Sequence, residues 1–230
     1  VLKMGGRTDG QKKMDLNPIR DPIPATFSED CLYLNIWTPA ETGDEKMPVL
    51  FWIFGGGFNA GYSYENEFDG DYSNTKGVIV VTIGYRTGPL GFLTLPELTE
   101  RDPQHAKGNL GLLDQIAALK WVHENIAAFG GDPDRITIHG QSAGGMSTKF
   151  HLVSPLTKGL FKRAIVQSGG GLNGGDPTRP YDELCEITRK TMDHLGWTVE
   201  DLLIRPAEEV NTTMADISEE ICGVNDLFMY

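Results

Sequence analysis

Hydrophobic residues follow two patterns of different period along the chain. Residues 49–54 and 78–83 are apolar at nearly every position, which predicts strands buried on both faces of a sheet. Three shorter β-rich runs predict further strands, at residues 32–37, 135–139 and 164–168. The buried runs place the interior of the sheet in the first half of the chain.

Two longer stretches carry apolar residues at helical spacing. The first covers residues 109–129, and its predicted apolar stripe consists of Leu110, Leu113, Ile116, Ala117, Leu119, Trp121 and Ile126. The second begins at Pro180 and is acidic; its predicted buried face consists of Leu184, Ile187, Met192 and Leu195. A shorter helical stretch runs through residues 146–152.

Strands that alternate with helices predict an α/β fold with a parallel or mixed sheet and right-handed crossovers. We find no internal repeat and no clean linker, so the sequence predicts a single domain over residues 1–230. The first thirty residues are polar and rich in Gly and Pro, and they predict an irregular surface segment.

Composition narrows the function classes. The 230 residues include 20 Lys+Arg and 32 Asp+Glu, a formal net charge of −12, which argues against a nucleic-acid partner. No apolar run reaches the length of a membrane span. The three cysteines show no metal-ligand spacing and favour reduced thiols, with a bridge between Cys185 and Cys222 as the alternative.

The sequence G-Q-S-A-G at residues 140–144 is the strongest local motif. It lies between a predicted strand and a predicted helix, the context in which G-x-S-x-G forms a sharp turn that exposes a nucleophilic serine. Gly140 and Gly144 would relieve collisions around Ser142, and the N-terminus of the following helix would favour negative charge near its hydroxyl.

A second motif, Gly55-Gly56-Gly57, follows the strand that ends at Phe54. Three glycines at a strand end can form a tight turn and nothing more. Beside a nucleophilic serine, their N–H groups can instead stabilise the oxyanion of a tetrahedral intermediate, together with the N–H of Ala143.

Five segments together resemble the type-B carboxylesterase family, which includes cholinesterases and fungal lipases. They are residues 29–39, 55–58, 108–115, 129–133 and 140–145. The resemblance implies an α/β-hydrolase fold with a mostly parallel central sheet flanked by helices. It also implies hydrolysis of a small-molecule carboxylic ester through a serine acyl-enzyme, with no metal and no cofactor.

The resemblance also implies roles for individual residues. Ser142 would be the nucleophile, and Gly56, Gly57 and Ala143 would donate to the oxyanion. Ser168 resembles a buried supporting serine of the family, although a hydroxyl satisfied at a strand end is the alternative. Gln141 departs from the pattern, because family members usually carry Glu there.

Two further differences from the family pattern bear on the cellular compartment of the protein and on the completeness of its fold. No cysteine precedes Cys31, whereas secreted members pair the corresponding cysteine with an upstream one, so a cytoplasmic location is favoured over secretion. The resemblance also implies that the fold is incomplete at both ends. The family places the triad acid and histidine far beyond the serine, and the chain ends at Tyr230. We therefore expect both outside this chain, in a companion polypeptide, a cleaved remainder or further sequence.

The histidines within the chain are expected to serve other purposes. We expect His139 to be a core or turn residue and His151 to lie too far along its helix to reach Ser142. We expect His105, His123 and His194 at the surface.

Two other functions remain open. The chain could be a non-catalytic, cholinesterase-like adhesion protein or an inactive esterase fragment. The presence of Ser142 and of the glycine motif favours the enzyme. The ester itself does not follow from the sequence.

Overall fold

The structure, a computed structural model, describes residues 28–65, 70–74, 76–170 and 178–222. The predicted irregular segment lies almost entirely outside the described residues. The chain divides into two compact units. The sheet unit comprises Cys31–Tyr85 and Leu112–Asp176, and the helical unit comprises Val1–Asp30, Arg86–Gly111 and Pro177–Tyr230. The expectation of one domain stays a prediction.

The sheet unit is built on a mixed sheet, which confirms the predicted α/β class. Its described strands are β1 (Leu34–Trp37), β2 (Met47–Ile53), β3 (Ile79–Ile83), β4 (Gly131–Gln141) and β5 (Arg163–Gln167). Their order across the sheet is β1-β3-β2-β4-β5, with β1 antiparallel to β3 and the remaining pairs parallel. The two fully apolar runs became β2 and β3, inside the sheet.

The described helices are α1 (Asp71–Asn74), α2 (Gly88–Phe92), α3 (Pro96–Arg101), α4 (Leu110–Asn125), α5 (Ala143–Val153), α6 (Tyr181–Leu195), α7 (Val199–Ile204) and α8 (Ala207–Cys222). Short 3-10 turns follow α4 and α5, at Ile126–Phe129 and Pro155–Thr157. None of these helices is long and apolar enough to span a bilayer.

The core of the sheet unit lies on the inner strands. Every residue of β3 is buried, and Phe51 and Ile53 of β2 and Ile138 of β4 are fully buried as well. Helix α5 packs against β2, β4 and β5, so it covers one face of the sheet at the carboxyl ends of these strands. β5 is the outermost described strand on its side, and its Ile165 and Val166 are exposed.

The buried face of α4 differs from the predicted stripe. Ala117 and Trp121 are exposed, whereas the polar Gln115 is fully buried. Gln115 is accommodated because both ends of its amide are paired. Its Nε2 donates to Ser147 Oγ at 3.1 Å, and its Oε1 accepts from His151 Nε2 at 2.8 Å. We call these three side chains the Gln115 network; it joins α4 to α5.

The helical unit has the apolar face that the sequence predicted for α6. Leu184, Ile187 and Met192 are buried, while Leu195 is half-buried. Helix α6 packs against α8, and an ion pair joins Arg189 of α6 to Glu97 of α3. Cys185 and Cys222 carry free thiols, so the alternative bridge between them is not formed.

Candidate active site

Ser142 is held on a sharp turn between β4 and α5. Its φ of 56° and ψ of −121° are rare for a residue with a side chain, and such strain persists only where the surroundings impose it. Its N–H donates to the carbonyl of Gln167 on β5 at 2.9 Å, and its carbonyl accepts from Met146 in the first turn of α5. The predicted strand–turn–helix context is confirmed.

Glycines allow this turn to pack against the sheet. A Cβ on Gly140 would lie 2.4 Å from the carbonyl oxygen of Gly144, and a Cβ on Gly144 would lie 2.0 Å from that of Ile53. Both distances are far below contact. The prediction that the flanking glycines relieve collisions around Ser142 is therefore confirmed.

Among the described residues, none forms a hydrogen bond with the Ser142 hydroxyl. Ser142 is the N-cap residue of α5, yet its side chain makes no capping hydrogen bond. Ala143 is the first residue of α5, so its N–H lies at the positive end of the helix dipole. Ala143 is also buried. The start of α5 thus presents unpaired N–H groups beside a half-buried hydroxyl, an environment that favours negative charge.

The glycine motif lies next to this serine. A Cβ on Gly55 would lie 3.2 Å from Ser142 Cβ and 2.7 Å from the Gln141 carbonyl oxygen, so the loop starts in contact with the turn. Gly56 and Gly57 have φ of 105° and 63°, and the Gly56 carbonyl accepts from Asn59 and Ala60 at 3.1 Å. This bonding closes the loop into a tight turn that contacts Ser142.

The two later glycines of the motif differ in their surroundings. A Cβ on Gly56 would lie 2.1 Å from the Ala60 carbonyl oxygen, whereas a Cβ on Gly57 would meet no atom within 4 Å. In the described part of the chain, no hydrogen bond is donated by the N–H groups of Gly56, Gly57 or Ala143. These donors remain available to a ligand.

Tyr85 is a site residue that the sequence analysis missed. It is 4% exposed, its ring stacks on Phe54 with centroids 4.1 Å apart, and its hydroxyl donates to the Phe54 carbonyl at 2.9 Å. Burial, with a smaller contribution from the charge of Glu65, raises the pKa of Tyr85, so the hydroxyl stays protonated. No local motif marks this contact, because its acceptor is a backbone carbonyl on another strand.

The two supporting residues occupy exposed positions. Gln141 ends β4, and its side-chain oxygen lies 3.1 Å from the position of a Cβ on Gly55. Ser168 follows β5 with a φ of 50° and is exposed. The resemblance implied a buried serine; Ser168 is exposed among the described residues, whose outermost strand is β5, and its supporting role stays a prediction. Gln141 and Gln167 pair in register, so Ser142 and Ser168 follow neighbouring strand ends.

The two histidines nearest the turn in sequence are occupied by other contacts. His139 of β4 is half-buried and packs against Trp52 with ring centroids 4.8 Å apart and planes tilted by 60°. His151 of α5 is buried and donates to Gln115. Burial lowers the pKa of each to about 4, so both are neutral at pH 7.

The remaining histidines lie at or near surfaces. His105 and His194 are exposed, as predicted, whereas His123 is half-buried on α4. Within the part of the chain that the structure describes, no hydrogen bond reaches the Ser142 hydroxyl from any histidine. The described residues also contain no group of three or more His, Cys, Asp or Glu side chains that could hold a metal ion.

The chain matches the model of the carboxylesterase family over residues 6–213. Among curated proteins, the para-nitrobenzyl esterase of Bacillus subtilis (strain 168) is 53% identical over 189 residues, which is 80% of this chain and 38% of that protein. The fumonisin B1 esterase of Sphingopyxis macrogoltabida is 50% identical over 146 residues, or 64% of this chain and 27% of that protein.

Solved structures give the same picture of the fold. A carboxylesterase of Geobacillus stearothermophilus superposes with a TM-score of 0.75 at 41% identity, covering 92% of this chain and 43% of that one. A thermophilic para-nitrobenzyl esterase superposes with a TM-score of 0.76 at 39% identity, covering 88% of this chain and 41% of that one. The architecture is the α/β-hydrolase fold. The chain spans less than half the length of these relatives.

Proposed function

Because the chain belongs to the carboxylesterase family, we propose that it hydrolyses carboxylic esters through an acyl-enzyme on Ser142. The observation that carries the proposal is the strained Ser142 turn, with the glycine loop in contact with it and an uncapped helix N-terminus behind it. A strained, half-buried serine without a capping partner is typical of a nucleophile.

In this mechanism the Ser142 hydroxyl attacks the ester carbonyl carbon as a general base removes its proton. The carbonyl oxygen becomes an oxyanion, which the N–H groups of Gly56, Gly57 and Ala143 stabilise. The C–O bond to the alcohol then breaks, and the alcohol leaves with the proton from the base. Water attacks the acyl-enzyme with the same base, which releases the acid and restores Ser142.

We place the base and its orienting carboxylate outside residues 1–230. What supports this is that His139 packs against Trp52 and His151 is bonded to Gln115. The other histidines, His105, His123 and His194, are exposed or half-buried, and within the described residues none bonds to Ser142. The comparisons lend no support to a separate companion polypeptide as their source. Gln141 and Ser168 would support the site through polar side chains at two adjacent strand ends.

The substrate class is proposed from the chemistry of the site and the names of relatives. An acyl-enzyme with an oxyanion hole suits small-molecule carboxylic esters. The related proteins are named for a para-nitrobenzyl ester, a fumonisin and, in a rat relative that is 50% identical over 166 residues, pyrethroids. These names share hydrolysis of a small-molecule ester and select no single ester.

The test is turnover of 4-nitrophenyl butyrate by the full-length protein and by its Ser142→Ala variant. We expect the substitution to lower kcat by about a thousandfold or more, since the nucleophile is lost, while a chelator leaves the rate unchanged. Activity that survives in Ser142→Ala and disappears with the chelator would refute the proposal. Substrate or partner binding without turnover in the unaltered protein would favour the adhesion function.

A further inference from the structure

Tyr85 is a buried polar residue that the proposed mechanism does not use. It lies two residues beyond β3, in the sheet unit, and its side chain is almost completely buried. Its ring lies against Phe54 with an interplanar angle of 18°, and a Cβ on Gly61 would lie 2.3 Å from the same Phe54 ring. Tyr85 and Gly61 therefore both pack against the Phe54 ring.

The hydroxyl of Tyr85 binds the peptide group that joins β2 to the glycine loop. It donates to the Phe54 carbonyl oxygen at 2.9 Å. That oxygen also lies against the start of α5, since a Cβ on Gly144 would be 2.8 Å from it. The next residue, Gly55, contacts Ser142. The orientation of this single peptide plane thus determines how the loop leaves the strand beside the nucleophile.

We propose that Tyr85 is a positioning residue of the oxyanion hole. Its hydroxyl fixes the peptide between Phe54 and Gly55, and thereby the direction in which the N–H groups of Gly56 and Gly57 point. The inference rests on the proposed function, in which these groups stabilise the oxyanion. Tyr85 itself touches no reacting atom.

The loop needs such an anchor because glycines do not hold their own conformation. Gly56 and Gly57 both adopt positive φ, in a region where glycine is freely mobile in the absence of other contacts. Oxyanion stabilisation depends on donors that are already oriented when charge develops, so a small rotation of the loop costs transition-state binding. Ground-state binding of the ester does not depend on these donors to the same extent.

Tyr85→Phe separates this role from packing, because it keeps the ring stack and removes only the hydroxyl. Thr82→Val is the matched control: Thr82 is a fully buried hydroxyl on β3 that accepts from Asn35 and lies outside the loop. Both variants are compared with the unaltered full-length protein, at a temperature where circular dichroism shows each to be folded. The measurements are kcat and KM for 4-nitrophenyl butyrate and the affinity for an alkyl trifluoromethyl ketone, which forms a tetrahedral oxyanion adduct.

We expect Tyr85→Phe to lower kcat and the ketone affinity by the same factor, about tenfold or more, with KM within twofold. Thr82→Val should change neither. 4-Aminophenylalanine at position 85 restores an N–H donor and should recover most of the lost kcat. If Tyr85→Phe does not fold, 4-methylphenylalanine, which fills the hydroxyl's volume without donating, takes its place.

The possible contrary results distinguish failure of the inference from failure of the proposed function. Equal kcat and ketone affinity in Tyr85→Phe and the unaltered protein would overturn the inference and leave the proposed function standing. An equal loss in Thr82→Val would also overturn it, since general destabilisation would then explain the effect. An unaltered protein that neither turns over the ester nor binds the ketone would refute the proposed function, and the inference with it.

Discussion

Ser142 is held in a backbone conformation that costs about 1–3 kcal/mol for a residue with a side chain. The surroundings that impose it are backbone atoms: the Gln167 carbonyl that accepts from the serine N–H, and the close contact of α5 with β2 at Gly144. The position of Ser142 is therefore determined mainly by backbone packing, which depends on glycine at Gly144.

Gly144→Ala tests this packing. The added Cβ would lie 2.0 Å from the Ile53 carbonyl oxygen, so α5 must move away from β2. We expect a loss of about 3 kcal/mol in the free energy of unfolding, measured by urea denaturation. Gly159→Ala is the comparison: it is strained by a φ of 85° but has open space, and should cost about 1 kcal/mol. Equal losses would contradict the crowding argument.

Gly57→Ala tests the oxyanion hole at the same scale. Gly57 and Gly196 have nearly equal φ, 63° and 65°, and a Cβ on either meets no atom within 4 Å. The strain of substitution should therefore be similar at both sites, about 1 kcal/mol in urea denaturation. Only the methyl group on Gly57 would lie in the proposed site, so we expect kcat to fall about tenfold or more in Gly57→Ala alone. Equal kcat values in the two variants would count against Gly57 as a donor.

Among the helices and strands, the sequence-based predictions that held rest on local patterns. The errors arise where a residue contacts others far away in the sequence. The G-x-S-x-G turn was predictable because its residues form one contiguous motif between a strand and a helix, although its glycines also relieve collisions with the distant Ile53. β4 was not fully predicted, because Gly131 and its neighbours carry a turn-like sequence that enters the strand through pairing with Met47. Tyr85 could not be found from sequence, because its partner is a backbone carbonyl 31 residues away.

The Gln115 network also depends on contacts between residues distant in sequence. It gives a prediction about the packing of α4 against α5. Gln115→Leu should lower the free energy of unfolding by about 3 kcal/mol, because it leaves Ser147 and His151 buried without their partner. Adding Ser147→Ala removes one buried hydroxyl that would otherwise lack a partner. The free energy of unfolding of the double variant should therefore fall by less than the sum of the two single losses. Additive losses in urea denaturation would contradict the description of these side chains as one network.

At the scale of the whole molecule, the residues proposed for the site lie in the sheet unit, which holds both the serine turn and the glycine loop. The general base is proposed to lie outside these residues, because the histidines of the chain lie in other contacts or at and near the surface. The match to the Geobacillus structure covers 92% of this chain and 43% of that protein.

The neutral side chains of His139 and His151 should make the free energy of unfolding fall in weak acid. The pKa of His139 and of His151 is lowered to about 4 from the usual 6.5, so the unfolded chain binds more protons between these values. The stability they contribute is complete above pH 6.5 and is lost as pH falls toward 4. Between pH 7 and pH 5, we expect urea denaturation to show a loss of about 2 kcal/mol for each histidine.

His139→Phe provides the control for this pH dependence. Phenylalanine keeps a ring against Trp52 and removes the titrating group, so the loss between pH 7 and pH 5 should be smaller by about one histidine's share. An unchanged pH dependence in this variant would show that groups other than His139 determine it.

Covalent labelling shows whether Ser142 is the nucleophile. The full-length protein is treated with a fluorophosphonate, and the modified residue is located by mass spectrometry of its peptides while residual hydrolysis of 4-nitrophenyl butyrate is followed. We expect one adduct per chain, on Ser142, formed in proportion to the loss of hydrolysis. Full hydrolysis by protein labelled on Ser142, or loss of hydrolysis through an adduct on another residue, would contradict it.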